Sequence, residues 1–302
     1  MRNRKGISLI ELLVIFAVIA LLLAIFMPSL GKVKKIASRV VCGTNLKGLG
    51  TAMTVYANDY DDECVRLGHG FWAKELGYSF DDADFKPYDF EGPCTITSSL
   101  YLLVREADVS PKSFVCPKQK EQVAFEGQNT KNLDLVELWD FGDNPYKHVS
   151  YAYHQPYSRY RADGTHAASF AVMADMSPWM KDGDFKKPND ENTLPPQIID
   201  ITDQSTFDKG NSLNHASYQE QFLIFFERTR KRPTGLGQNV LYADGHTAFE
   251  KQPNVGVKND NIYTYWSTEE NPTEQDIQGG TAPTGRDPEN DAKSVDDSFL
   301  VL

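Results

Sequence analysis

The sequence predicts an α+β protein: a long N-terminal helix packed on an antiparallel β-sheet head, followed by a flexible acidic tail. Three observations carry this. Ile7–Met27 is an apolar run broken by one charge, Glu11. Beyond Pro28, Cys42, Leu46, Leu49, Met53, Tyr56 and Tyr60 recur at alternating intervals of four and three, which draws one apolar stripe down a helix. Later segments alternate with period two between turn formers, as strands do.

The apolar run is long enough to cross the roughly 30 Å hydrocarbon core of a bilayer as a helix. Arg2, Arg4 and Lys5 precede it, a cationic head that stays cytoplasmic. A carboxylate inside such a span costs on the order of 2–3 kcal/mol and persists where something satisfies it, so Glu11 is a candidate functional residue. A suitable partner is the free amine of a neighbouring copy cut just before Ile7. An ordinary secretory signal is the competing reading, with Ser29-Leu30-Gly31 as its cleavage site. Against it stand the length of the run, Glu11 within it, and the periodic sequence that continues past it.

The helix runs to about Tyr60, a spine of roughly 80 Å at the standard rise. Lys32, Lys34, Lys35 and Arg39 fall in the turn just outside the membrane. Gly43, Gly48 and Gly50 each weaken the helix by up to about 1 kcal/mol and permit bending. The acidic run Asn58–Glu63 ends it as a solvated cap. It lacks the alternating ligands and central glycine of a calcium loop.

With 302 residues, 40% hydrophobic and 12% aromatic, the chain can bury a sizeable core. The net charge of −11 argues against nucleic acid, which needs basic patches. Of the four cysteines, Cys42 lies on the spine, about twenty helical residues and some 30 Å from Cys64, so these two make poor partners. A pairing among Cys64, Cys94 and Cys116 is expected, with zinc disfavoured because no Cys-x-x-Cys spacing occurs.

Within the head, residues 61–266, Ser98–Arg105 reads as a helix or strand and Phe114–Pro117 as a strand end. Lys118–Asn132 reads as loop, and Val149–Tyr153 and Ser169–Asp175 as strands. Asp182–Pro196 is turn-dense. Asn239–Ala243 and His246–Glu250 flank Asp244-Gly245, which predicts a two-residue hairpin with positive φ at both turn residues. The turn accounts for Asp244 beside His246 without catalysis. Residues 267–302 form the acidic tail, rich in Gly, Pro, Asn and Thr and expected to stay flexible, with Phe299–Leu302 able to return as an edge strand.

Lys5-Gly6-Ile7-Ser8-Leu9-Ile10-Glu11-Leu12-Leu13 resembles the processing site of type IV pilins and type II secretion pseudopilins. That resemblance implies a leader of residues 1–6, cleavage between Gly6 and Ile7 by prepilin peptidase, and N-methylation of Ile7. It further implies a transmembrane segment 7–27 within the spine 7–60. The protein is then an inner-membrane, single-pass subunit with its head in the periplasm, and its partners are its own copies or other pilin-like subunits and an inner-membrane assembly platform. Val41–Lys47, Phe114–Pro117, Ser150–Tyr153, Val172–Asp175 and Gln238–His246 resemble the pseudopilin-like proteins of planctomycetes, verrucomicrobia and lentisphaerae. That group carries a histidine nine residues before a terminal Asp-Gly; here Thr234 holds the position and His215 is the displaced equivalent, with residues 218–232 as an insertion.

Assembly is the expected function and no cofactor is implied, although acidic loops of major pseudopilins bring calcium into consideration for the head or tail. A minor pilin-like adhesin or cargo-recognition module is the alternative. A membrane-anchored hydrolase ranks last: the sequence has no serine elbow, phosphate loop or HExxH motif, and its six histidines are scattered.

Overall fold

The computed structural model describes residues 9–82, 84–117, 119, 121–128, 131–164, 166–177, 179–181, 183–185, 237–251 and 253–302. Within helices and strands, the side chains at 25–29, 31, 32, 35 and 181 are also outside the description. The cleavage site Gly6-Ile7, His215, Thr234 and the segment 218–232 all lie outside the described residues.

The spine is a single helix, α1, Leu9–Asp59, continuous through Pro28. It ends where Asp61 and Asp62 take positive φ, 53° and 62°. Its lower half packs as the stripe predicts: Cys42, Leu46 and Leu49 are fully buried and Tyr56 nearly so. Gly43 and Gly50 serve this packing. A β-carbon on Gly50 would lie 2.6 Å from Leu241 Cδ1, and one on Gly43 would lie 3.2 Å from Asn239 Oδ1.

Against α1 lies α2, Ile96–Glu106, started by Thr95, whose hydroxyl accepts from the Ser98 N–H. This capping bond is worth about 1 kcal/mol. Ile96 through Val104 are all buried, so the segment that reads as helix or strand is a core helix. The expected strand end at Phe114–Pro117 is instead the end of a 3-10 turn, Pro111–Phe114, followed by extended backbone. Proline at the first helical position suits such a turn, and among the described residues no strand pairs with Val115.

The sheet has five antiparallel strands in the order β8-β7-β4-β3-β9. They are β3 (Tyr151–His154), β4 (Ala171–Asp175), β7 (Gln238–Tyr242), β8 (Thr247–Glu250) and β9 (Leu300–Val301). Two small pairs complete the set: β1 (Phe71–Trp72) with β2 (Pro93–Cys94), and β5 (Met180–Lys181) with β6 (Asp184–Phe185). Alternation along β3 and β4 sorts side chains by size. Tyr151, Tyr153 and Met173 enter the main core with α1 and α2, whereas Ala152 and Ala174 enter a second core with Ile262 and Tyr263.

That second core overturns the expectation of a flexible tail. Ile262 and Tyr263 cover the far face of the sheet, and the chain then returns through α3, Glu274–Gln278, to β9. Phe299, Leu300 and Val301 are fully buried, and β9 pairs with β3 at the sheet edge, Tyr153 opposite Val301. A few buried apolar residues, together with buried aspartates that accept backbone N–H groups, order a segment whose average composition reads as disordered.

Two other expectations are corrected. The hairpin loop has three residues, Ala243-Asp244-Gly245, and only Gly245 has positive φ, 78°. Gly245 N–H donates to Tyr242 O at 2.8 Å and Tyr242 N–H to His246 O at 3.0 Å. This is a type I turn closed by a left-handed glycine, the alternative that also matches strand twist. The disulfide joins Cys42 to Cys116 with a Cα–Cα distance of 5.4 Å, leaving Cys64 and Cys94 free. Cys42 sits on the inward face of α1, where the turn Pro111–Phe114 delivers Cys116.

Candidate assembly face

Every described residue from Leu9 to Ala24 is exposed. The apolar residues point to all sides: Leu9, Ile10, Leu13, Phe16 and Leu21 are each more than 60% exposed. A soluble surface helix hides an apolar stripe, whereas one that is apolar all round needs surroundings that are themselves apolar. Glu11 lies in the first turn of α1 and is exposed. A carboxylate there favours the helix start by about 0.3–1 kcal/mol.

Among the described residues no helix is long and apolar enough to cross a membrane. The apolar side chains are described from Leu9 to Ala24, about 24 Å of helix at the standard rise, against roughly 30 Å of hydrocarbon. Further along, Leu30, Val33, Ile36 and Val40 remain exposed. The apolar character of α1 therefore continues past Pro28 towards the head.

Where the exposed arm meets the head, the join is made by residues of known chemistry. The Arg39 guanidinium lies 3.6 Å from the centre of the Phe249 ring. Burial there lowers its pKa from the usual arginine value. Lys47 Nζ donates to Gly245 O at 2.6 Å, and Asn45 Nδ2 donates to Val115 O at 3.3 Å and to Tyr151 Oη at 3.1 Å. With the Cys42–Cys116 bond, these contacts fix the helix to the β7–β8 hairpin and to the turn before Cys116. The arm and head are thus joined where the apolar exposure ends.

The Asp-Gly turn does structural work at this join. Asp244 Oδ1 accepts from the His246 N–H at 2.9 Å and contacts His246 Nδ1, and the His246 ring stacks on Tyr242 at 4.4 Å. The backbone N–H, then the imidazole, hold the Asp244 carboxyl below its usual range. Gly245 presents its carbonyl to Lys47.

At the other end of the spine, Asp61, Asp62, Glu63, Cys64, Arg161, Asp163 and Gly164 surround a cavity of about 410 Å³. Among the described residues no three histidine, cysteine, aspartate or glutamate side chains are grouped to hold a metal ion. The calcium expectation therefore gains no ligand set. Cys64 is free and burial pushes its thiol up to about 11, so it is held as the unreactive thiol. Cys94 is likewise pushed up to about 11.

Three features have no counterpart in the sequence-based expectations: the Arg39 stack on Phe249, the Cys42–Cys116 bond, and the burial of Asp140, Asp260 and Asp297. Only the first had a signal, a lone arginine where the inward stripe begins. The aspartates lie in polar, turn-rich sequence that reads as exposed.

Residues 1–27 match the model of the prokaryotic N-terminal methylation motif. No curated protein and no solved structure matches the chain. The match covers Gly6, Ile7, Glu11 and the start of the exposed arm, and supports the prepilin-type family. The chain thus carries, at residues 1–27, the N-terminal motif of prepilin-type precursors.

Proposed function

We propose that this chain is a prepilin-like structural subunit of a type II secretion pseudopilus or a type IV pilus-like filament, and that it acts by assembly rather than catalysis. Prepilin peptidase cuts between Gly6 and Ile7, and Ile7 is then N-methylated. Residues 7–27 hold the subunit in the inner membrane with its head in the periplasm until an assembly platform extracts it. The Asp-Gly hairpin and the segments resembling the planctomycete pseudopilin-like group support placing it in that subgroup.

The observation that carries the reading is the arm Leu9–Ala24, exposed and apolar on all sides, with one carboxylate in its first turn. Lipid covers such an arm before assembly and the arms of other subunits cover it afterwards. In both settings a charged carboxylate is costly. Pairing Glu11 with the new amine of Ile7 on an adjacent subunit removes two charges from apolar surroundings and fixes the register between copies.

Glu11→Ala tests this. The variant is expected to be cleaved like the wild type and to give far fewer filaments, or crosslinked subunit ladders, from host cells. Glu11→Asp, which keeps the charge on a shorter side chain, should recover part of the yield. Wild-type assembly by the alanine variant would contradict the role given to Glu11.

A further inference from the structure

The C-terminal strand is held by an unusual pair of groups. Asp260 and Asp297 are both completely buried. Asp260 Oδ1 accepts from Trp266 Nε1 at 2.8 Å, and its Oδ2 accepts from the Ser298 N–H at 2.7 Å. Asp297 Oδ2 accepts from the Trp266 N–H at 2.9 Å and from the Lys293 N–H at 2.7 Å. Asp297 Oδ1 is buried with no hydrogen-bond partner among the described residues. The two carboxyls therefore grip one tryptophan from both sides, one through its ring and one through its backbone, and Asp260 also holds the residue just before Phe299.

Among the described residues every donor to the pair is a neutral N–H, and none of these hydrogen bonds comes from a cation. The nearby lysines are engaged elsewhere. Lys258 Nζ bonds Asp296 at 2.9 Å and lies 5.7 Å from the Trp266 ring centre; Lys293 Nζ bonds Glu289 O at 3.0 Å and lies 5.5 Å from the Tyr265 ring centre. The other charges felt by Asp297 are Asp291, which opposes its ionisation, and Lys293, which assists it less. Two adjacent carboxylates in a dry site cannot both carry charge cheaply, so the pair retains a proton.

We propose that the C-terminal strand is a pH-gated latch: the Asp260–Asp297 pair, while it keeps a proton, clamps residues 298–302 onto the sheet edge, and loss of that proton releases them. Burial pushes Asp297 up to about 7, and burial followed by the Asp297 charge pushes Asp260 well above the usual carboxylate range. Carboxyls raised in the folded state give stability that is full below the unfolded value near 4 and is lost as pH climbs from there through the folded value, a loss complete for Asp297 above about 7. The acid limit comes from the neighbouring bond. Phe299 N–H donates to His154 Nδ1 at 3.1 Å, which requires an unprotonated nitrogen, while Nε2 lies 2.7 Å from Tyr160 O. Burial, with His166 adding to it, lowers His154 to about 4, so this bond fails only in strong acid. Consecutive backbone N–H groups of one edge segment thus rest on two titrating side chains of opposite sense.

Release would be local, because β9 is two residues long at an edge, whereas β7 lies inside the sheet. The test is hydrogen exchange of the full chain in detergent between pH 5.5 and 8.5, corrected for the intrinsic pH dependence of exchange. The peptide covering 298–302 should lose protection by about tenfold per pH unit for each linked proton between pH 5.5 and 7, and less steeply above 7 once Asp297 has ionised. The peptide covering 238–242 should keep its protection. Asp297→Asn should flatten the profile, as should Asp260→Asn, whereas Asp291→Asn should leave most of the slope. A flat wild-type profile, parallel loss at 238–242, or an unchanged slope in both asparagine variants would overturn the latch. Should one variant fail to fold, the other and the wild-type profile still decide.

Discussion

Gly48 and Gly50 occupy the same helix two residues apart and are expected to respond to alanine with opposite signs. A β-carbon at Gly48 meets nothing within 4 Å, so Gly48→Ala gains helix propensity alone, about 0.5–1 kcal/mol of added stability. A β-carbon at Gly50 would lie 2.6 Å from Leu241 Cδ1 and 3.0 Å from Cδ2, and Leu241 is 1% exposed on β7. That side chain has to move within a closed core, at a cost of about 1–3 kcal/mol. Subtracting the same propensity gain leaves Gly50→Ala roughly neutral to 2 kcal/mol destabilised. The difference between the two variants, about 1–3 kcal/mol, is then the packing term alone, because propensity cancels. Urea unfolding of the full chain in detergent, followed by circular dichroism, measures both. Equal stabilisation by the two alanines would refute the account of how α1 meets β7.

Replacing Cys42 and Cys116 together with serine removes a cross-link spanning 74 residues. Loop entropy alone puts this at about 4.5 kcal/mol, and typical losses are about 2–4. Thermal unfolding should show it as a drop of roughly 5–15 °C, and thiol titration of the unfolded wild type should find two free thiols rather than four. Asp140 is fully buried, its Oδ2 accepting from Thr95 Oγ1 at 2.7 Å and Thr97 Oγ1 at 3.0 Å, and burial pushes it up to about 7. Since its folded value is raised, the stability it gives is present near pH 4 and lost as pH rises through 7. Denaturant midpoints between pH 5 and 8 should therefore fall less steeply in Asp140→Asn. Arg39→Ala should loosen the arm from the hairpin, seen as faster hydrogen exchange at 247–250, whereas Lys34→Ala, at an exposed site on the same helix, should not.

The helix was legible because its signal is local and periodic. The stripe from Cys42 to Tyr60 names the buried face, and α1 ends at Asp59, one residue before the expected end. Strands β3, β4, β7 and β8 were legible for the same reason. The turn type was not, since Asp-Gly serves both a two-residue loop and a type I turn closed by glycine. The cysteine pairing depends on where a 3-10 turn lands against α1, a distance of 74 residues along the chain. The tail misled because its order rests on a few residues, Phe299–Leu302 and the buried carboxyls, that composition averages away. The exposed arm was the most legible part: an apolar run with Glu11 near its start is visible in the sequence, and the structure adds that none of its described side chains is covered.

The central claim, a prepilin-type subunit built around an assembling arm, is tested most directly by intact mass and N-terminal peptide mapping of the chain recovered from membranes of its native host. The account predicts a chain that begins at Ile7 and carries one added methyl group. A chain that begins at Gly31 or Lys32 would contradict it, because the arm and Glu11 would then have been discarded with a signal peptide.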